Sequence, residues 1–410
     1  MHGSYHTRVF LTVLFFISVL LLSSSCRRET ISPSQAGSFI KFYSLFNKDE
    51  GFVVKTLAGR GYVMAGTTYT EASSNIILIM TDEYGRETGT PKLFGGEYDD
   101  RANSMVILSD GGFAILGSTT LESEEDESLI TDMYLVRTDR QGNELWSRNY
   151  GGNSNEAGYG LAQTSDGGFI LIGSTENPLT GVKNVYLVKT DTAGEVLWTR
   201  THGGLNDDAG LSITERFTDE GIPEGYTYTG YTRSYFQPGQ SNSNIFVVET
   251  NPSGIATFFY TYGSTGNDFG ESLIPHPEGG FVLLGTKSNP SSGVKNVFLA
   301  RIDDNISNPL WTRSLGSTDN HVAACIKITG DGNYIITGTL EITSDNHVIF
   351  LMKTDPNGNI IFNKTFGGSG QQRGQAVDLA DDGGYIITGS NKSGNNSMIT
   401  LIKTNPDGEL

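Results

Sequence analysis

The chain has two cysteines in 410 residues, which excludes a disulfide framework. Cys26 lies near the N-terminus, and Cys325 falls in an apolar stretch that reads as an inner strand. Histidine is scarce as well. Past the N-terminal segment only His202, His276, His321 and His347 remain, and no two share a motif. Paired metal ligands and nucleophile elbows are therefore absent from the pattern. Positive charge is in deficit: 28 Lys and Arg stand against 46 Asp and Glu, a net −18. A chain so acidic is unsuited to nucleic acid, which needs a basic surface. No stretch shows apolar residues at a 3.6-residue period, which excludes a helical repeat.

What is present is glycine, 52 residues of it, with 10% aromatics and only 12 prolines. Such a composition suits strands and turns rather than disorder. The glycine that closes the phrase Asp166-Gly167-Gly168-Phe169-Ile170-Leu171-Ile172-Gly173 recurs at Gly66, Gly117, Gly173, Gly230, Gly285, Gly338 and Gly389. The gaps are 51, 56, 57, 55, 53 and 51 residues. A second landmark keeps step at Asp82, Asp139, Asp191, Asn251, Asp303, Asp355 and Asn405. A period of this size marks a repeat architecture.

Each unit reads as four antiparallel strands. In the unit from Gly151 to Gly204, Ser165-Asp166-Gly167-Gly168 is a hairpin turn and Phe169–Ser174 is a strand apolar on both faces. A loop over 175–183, a third strand, the turn Asp191-Thr192-Ala193-Gly194 and a fourth strand carrying Trp198 follow. Blade four carries an insertion, Arg216 to Gly225, at its first turn. Four strands per repeat form one blade of a β-propeller. The expectation is all-β: a seven-bladed β-propeller over 38–410, with four-stranded antiparallel blades. The last repeat stops at Leu410 without its fourth strand, and Ser38–Tyr43 forms an unassigned strand ahead of the first. Phe39 falls where Trp146 falls in its own repeat. The N-terminal strand is thus expected to complete the last blade and close the ring, because proteins avoid exposed sheet edges.

Residues 1–26 read as a signal peptide. Arg8 precedes an apolar run from Val9 to Leu22, too short to span a bilayer comfortably. Leu22-Ser23-Ser24-Ser25-Cys26 resembles a bacterial lipoprotein cleavage site, in which Cys26 becomes the acylated first residue; Ser23 departs from the leucine usual at its place. Residues 27–37 read as a polar, flexible tether.

The turns Asp139–Trp146 and Asp191–Trp198, of pattern Asp-x-x-Gly-x-x-x-Trp, resemble the tryptophan-docking motif of quinoprotein-like propellers. The whole unit resembles the repeat propellers of Bacteroidetes-type envelope proteins. The resemblance implies a fold and leaves activity open. Quinone enzymes of that kind have eight blades and dedicated calcium ligands, which this chain does not match. Sialidase-type Ser-x-Asp-x-Gly-x-Thr-Trp boxes are absent too. The chain is therefore expected not to be an enzyme.

Candidate sites follow from position in the repeat. Asp82, Asp139, Asp191, Asp303 and Asp355 stand beside glycine at tight turns, where such side chains cap backbone N–H groups. Trp146, Trp198 and Trp311 are expected to pack between blades. Asp49, Asp100, Glu156, Asp208, Asp268, His321 and Gln372 stand in the connections from a fourth strand to the next first strand, which in a propeller lie at one mouth of the central channel. Five of these seven are acidic, so they either form an anionic binding ring or tie each loop to its neighbour. Crowded carboxylates favour a basic partner or a divalent cation such as calcium, and no other cofactor is implied. The loops joining second to third strands vary most, and one carries Glu122, Glu124, Glu125, Asp126 and Glu127. Tyr231, Tyr235 and Phe236 in the fourth such loop suit either an exposed contact or packing over the blade. The function expected is a monomeric outer-membrane lipoprotein, periplasmic or surface-facing, that binds a protein or glycan partner. A structural subunit of an outer-membrane assembly machine is the alternative.

Overall fold

A computed structural model describes residues 37–123, 127–235, 242–304, 306–316 and 318–410. Cys26, the tether before residue 37 and Phe236 lie outside the described residues, as do Glu124, Glu125 and Asp126. Ser38–Leu410 forms one unit, and its regular structure is all strand.

β1 (Phe39–Tyr43) comes first. Five four-stranded antiparallel sheets then follow the chain. The first is β2 (Asp49–Leu57), β3 (Gly61–Tyr69), β4 (Ser74–Thr81) and β5 (Lys92–Phe94). The second is β6 (Asp100–Ile107), β7 (Phe113–Glu122), β8 (Leu129–Thr138) and β9 (Glu144–Tyr150). The third is β10 (Glu156–Gln163), β11 (Phe169–Glu176), β12 (Lys183–Thr190) and β13 (Val196–His202). The fourth is β14 (Asp208–Phe217), β15 (Pro223–Thr232), β16 (Asn244–Thr250) and β17 (Ala256–Thr261). The fifth is β18 (Asp268–Pro275), β19 (Phe281–Ser288), β20 (Lys295–Ile302) and β21 (Pro309–Leu315). Last come β22 (Asn320–Ile328), β23 (Tyr334–Thr343), β24 (Asn346–Thr354), β25 (Ile360–Phe366), β26 (Gln371–Leu379), β27 (Tyr385–Ser393) and β28 (Asn396–Thr404).

These last strands correct the expectation of seven separate four-stranded blades. Five sheets stand alone, whereas β22 to β28 and β1 hydrogen-bond as one sheet of eight. Its order is β1-β28-β27-β26-β24-β23-β22, with β25 on β24. The join is a single parallel bridge between His347 and Gln371, where the His347 N–H donates to the Gly370 carbonyl at 2.9 Å. The tight hairpin between Thr343 and Asn346 keeps β24 extended up to that point. A contact between repeats of this kind leaves no trace in the pattern of a single repeat.

Closure by the N-terminal strand is corrected as well. β1 does pair with the outer face of β28, from Phe39↔Lys403 to Tyr43↔Ile399. That strand alone does not make the seam between the first and last sheets. β2 packs on β26, β27 and β28, Lys48 bridges Ser397, and the Thr56 N–H donates to Asp378 Oδ2 at 2.9 Å. Gly51 allows this approach: a Cβ there would lie 2.7 Å from Thr388 Oγ1. The inner strands β2, β6, β10, β14, β18, β22 and β26 neighbour one another in that order, and β26 returns to β2. The architecture is a β-propeller.

The second and third strands of each repeat carry the core. Phe113, Ile115, Leu116, Leu135 and Val136 are fully buried, and each such side chain contributes about 1.5–3 kcal/mol by leaving water. The fourth strands are outermost and alternate, so Trp146, Trp198 and Trp311 can reach the next sheet. Their rings meet Phe169, Tyr226 and Tyr334 at centroid distances of 6.1, 5.9 and 6.2 Å. Asp82, Asp139, Asp191 and Asp355 cap their turns. Asp139 Oδ1 accepts from the N–H of Gln141 and Asn143, and Asp191 and Asp355 repeat the pattern. The insertion at Arg216–Gly225 lengthens two strands, pairing Arg216 with Gly225 and Phe217 with Pro223.

Candidate binding site in the central channel

The structure places all seven expected mouth residues at one point of the repeat. Asp49, Asp100, Glu156, Asp208 and Asp268 each open an inner strand, and His321 and Gln372 stand second in theirs. All seven are buried. The five carboxylates do the same work: each accepts the backbone N–H four residues upstream. The donors are Leu45 at 2.8 Å, Gly96 at 2.8 Å, Gly152 at 3.3 Å, Gly204 at 2.9 Å and Ser264 at 2.6 Å. The other oxygen reaches the end of the second strand in four cases. Asp49 meets Thr68, Glu156 meets Thr175 Oγ1 at 2.6 Å, and Asp208 and Asp268 take the N–H of Arg233 and Ser288 at 3.1 Å. His321 Nδ1 lies 3.1 Å from the Asp319 carbonyl, and the Gln372 amide donates to Asn391 Oδ1 at 3.0 Å. Among the described residues no hydrogen bond or ion pair joins one of the seven to another, nor does a group of three or more His, Cys, Asp and Glu assemble that could hold a metal.

Three residues further along the same inner strands lies a ring of residues that reading the turns did not single out. Each inner strand carries one β-bulge, at the register shifts 51/53, 102/104, 158/160, 210/212, 270/272, 323/325 and 374/376. The extra residue has no partner in the ladder and bends the strand. The seven extra residues are Phe52, Asn103, Tyr159, Leu211, Glu271, Ala324 and Gln375, and all line one cleft of about 440 Å³. Arg373 and Glu341 also line it. A second cleft of about 320 Å³ meets the first at the same seven residues and holds Lys55, Cys325 and Lys327. The sequence signal is a Gly or Ala immediately before each of the seven, fourteen residues ahead of the recurrent glycine in every repeat but the fourth, whose first turn carries the insertion.

Charge in this channel is sparse and strongly perturbed. Burial pushes the Glu271 carboxyl up to about 7, because the charged form loses its water. Glu271 has no ion pair or hydrogen bond among the described residues. Burial lowers Lys55 to about 8, and Lys327 beside it adds to the effect. Lys327 is held up: burial opposes its charge, but Cys325 and Asp378 outweigh that, with Asp378 Oδ1 at 3.7 Å. The channel thus offers a carboxyl that titrates near neutrality, two amines around one carboxylate, and neutral aromatic and amide groups. These are the ingredients of a site that orients a polar ligand.

No protein-family model matches the chain. Part of it is similar to the regulatory protein FlaEY of Caulobacter vibrioides, 24% identical over 209 residues, or 45% of this chain. The match covers 21% of that protein, so the chain spans about a fifth of the relative's length. Among solved structures, the β-propeller domain of the Trilobed protease from Pyrococcus furiosus is similar at 9% identity and a TM-score of 0.47. That match covers 88% of this chain and 97% of that one. A putative exo-β-1,3-galactanase from Bifidobacterium bifidum is similar at 17% identity and a TM-score of 0.36, covering 60% and 86%. An endo-arabinase from Bacteroides thetaiotaomicron follows at 14% and 0.35, covering 62% and 95%. The expectation that the chain is not an enzyme does not stand, with two glycosidases among these similar structures. At such identities the likeness is one of fold.

Proposed function

We propose that the chain is an exported, lipid-anchored binding propeller that holds a protein or glycan partner at the mouth of its central channel. One observation carries this reading. The frame repeats, but the bulge ring does not: Phe52, Asn103, Tyr159, Leu211, Glu271, Ala324 and Gln375 differ in size, charge and polarity. Packing does not demand that variety, because the residues face a cleft rather than a neighbouring sheet. Binding residues sit on such variable positions of a rigid scaffold. The regulatory relative fits a chain that acts by binding. The buried carboxylates at the mouth hold the loops that frame the opening.

The test is site-specific photo-crosslinking in intact envelopes. A crosslinker at Gln375 should capture a defined partner that one at the outer-strand residue Leu197 does not. Glu271→Gln should weaken the capture. Equal capture from both positions, or none from Gln375, overturns the reading. The anchor is tested separately: Cys26→Ser should shift the protein to the soluble fraction, and a variant that stays with membranes refutes the lipidation.

A further inference from the structure

The repeat exposes one place where two positions change together. At the end of the fourth strand, the last residue before the connection is an aromatic in most repeats (Tyr43, Phe94, Tyr150, Tyr262 and Phe366) and Leu315 in the fifth sheet. Tyr43, Tyr150 and Tyr262 each also donate their hydroxyl to a carbonyl in the second turn of the following repeat. The acceptors are Gly85 at 2.6 Å, Gly194 at 2.8 Å, and Ile306. In the third sheet this place is taken by His202, opposite Val185. Its imidazole is shorter than a phenol. It hydrogen-bonds the backbone of Gly254 and stacks on Tyr228, with ring centroids 6.0 Å apart and planes at 23°.

Tyr228 is the second departure. It stands two residues before the recurrent Gly230, where the other repeats have Met64, Ile115, Leu171, Leu283, Ile336 and Ile387. Tyr228 is fully buried, and its hydroxyl lies 2.5 Å from His202 Nδ1. Burial lowers the His202 pKa, which favours the neutral imidazole in its contact with the phenol.

Between the third and fourth sheets, beside this pair, lies an open cleft of about 450 Å³. Tyr228 and His202 form its base, and Phe246, Phe259 and Tyr235 form its walls. Phe246 and Phe259 lie nearly parallel at 21° with centroids 6.1 Å apart, and Tyr235 leans on Phe259 at 4.9 Å. Phe259 and Tyr235 are 39% and 45% exposed, so two ring surfaces meet solvent at the rim. The Tyr235 hydroxyl donates to the Gly203 carbonyl at 2.8 Å, which holds that wall in place. Mostly apolar walls with a few convergent polar groups describe a small-molecule pocket.

We propose that this cleft is a binding site for a small phenolic molecule. The ligand's ring would lie beside His202 on the Phe246 and Phe259 surfaces, with its hydroxyl towards Thr201, Thr232 and Asp208, which also line the cleft. Aromatic pairs of this kind favour edge-to-face or offset contact, which the tilted walls provide. None of the aromatic residues named here lines the two channel clefts, although Asp208 of the mouth also lines this one.

The probe is p-cresol, the tyrosine side chain itself. Saturation-transfer NMR on the full chain should show contact with p-cresol and none with cyclohexanol or methyl β-D-galactoside. The double variant His202→Tyr/Tyr228→Leu restores the pattern of the sibling repeats and should abolish the p-cresol signal while the thermal transition stays cooperative. Phe259→Ala, at an exposed wall, is the second variant, and it should also lose the signal. A p-cresol signal unchanged in both variants overturns the proposal, as does its absence in the wild type. A stronger signal from the galactoside would replace the phenol site by a sugar site.

Discussion

Trp146 lies over the turn of the next sheet, so close that a Cβ on Gly194 would sit 2.7 Å from its indole. Gly194 also has φ +79°, a conformation that costs an L side chain roughly 1 kcal/mol or more. The same contact joins Trp198 to Gly254 and Trp311 to Gly358. Gly194→Ala therefore meets a strained backbone and a ring in its way. Its expected cost is about 1–3 kcal/mol. Trp146→Ala should cost about 2–4 kcal/mol through the lost ring. Urea unfolding checks both, and near-neutral values would remove the indole from the contacts that hold adjacent sheets together.

A second relationship fixes the inner turns. Lys403 is 2% exposed, and its Nζ lies 2.7 Å from Asp382 Oδ2 and 2.8 Å from the Thr404 carbonyl. Lys189 with Asp166 and Lys353 with Asp331 repeat the pair. Asp382 and Asp166 are each held below the usual carboxylate range: burial works against this, but hydrogen bonds and the neighbouring lysine prevail. A depressed folded pKa gives stability that is present above the unfolded value near 4 and lost as pH falls through the folded one. Acid should thus unfold the chain progressively below about pH 4. Lys403→Met leaves Asp382 without its partner and should flatten the acid limb of a melting-temperature profile. An identical limb would assign the acid sensitivity to other groups.

Much of this was legible in the sequence. The recurrent glycine and the turn aspartates mark where strands begin and end, because tight turns demand those residues. Trp146, Trp198 and Trp311 showed that fourth strands dock on their neighbours. Less legible was whatever depends on contacts between repeats. The bridge from His347 to Gln371 that merges the last sheets joins the starts of two strands that are unremarkable alone. The carboxylates from Asp49 to Asp268 could be placed at the mouth, but the sequence left open whether they ring the channel or tie loops, since that choice is set by backbone N–H groups four residues back. The bulge ring was missed because a bulge shifts the alternation by one residue, so Glu271 looks like an ordinary strand position.

Glu271 gives a pH prediction of opposite sign. Its folded pKa of about 7 lies above the unfolded value near 4.3. The folded chain binds the extra proton between those values, so stability falls as pH rises from about 4.5 to 7 and is level above. Glu271→Gln removes that slope. At pH 8 the variant should be more stable by roughly 1–3 kcal/mol, and near pH 4 it should match the wild type. Calorimetry at the two pH values decides, and an equal offset at both would mean that the substitution acts through packing instead.

Asp132 offers the same logic at the mouth, with a control supplied by the repeat itself. Asn184, Asn244 and Asn296 hold the matching place in the three following sheets, each beside the glycine that ends the fourth strand. Only here does a carboxylate stand, and it faces another: a Cβ on Gly151 would lie 2.0 Å from Asp132 Oδ1 and 2.5 Å from Glu156 Oε2. The two oxygens are therefore close to each other. Burial, and then Glu156, push Asp132 up to about 6. Its ionisation above that pH costs stability, for the reason given for Glu271. Asp132→Asn puts the siblings' amide in place and gives Glu156 a donor instead of a like charge. The variant should melt higher than the wild type at pH 8, and the gap should close below about pH 4, where Asp132 is protonated in both states. Glu156→Gln should do less, because it also weakens the bonds to Gly152 and Thr175. If Asp132→Asn lowers the melting temperature at pH 8, the ionised Asp132 is held by a bound cation. Added calcium should then raise the wild type's melting temperature and leave the variant's unchanged.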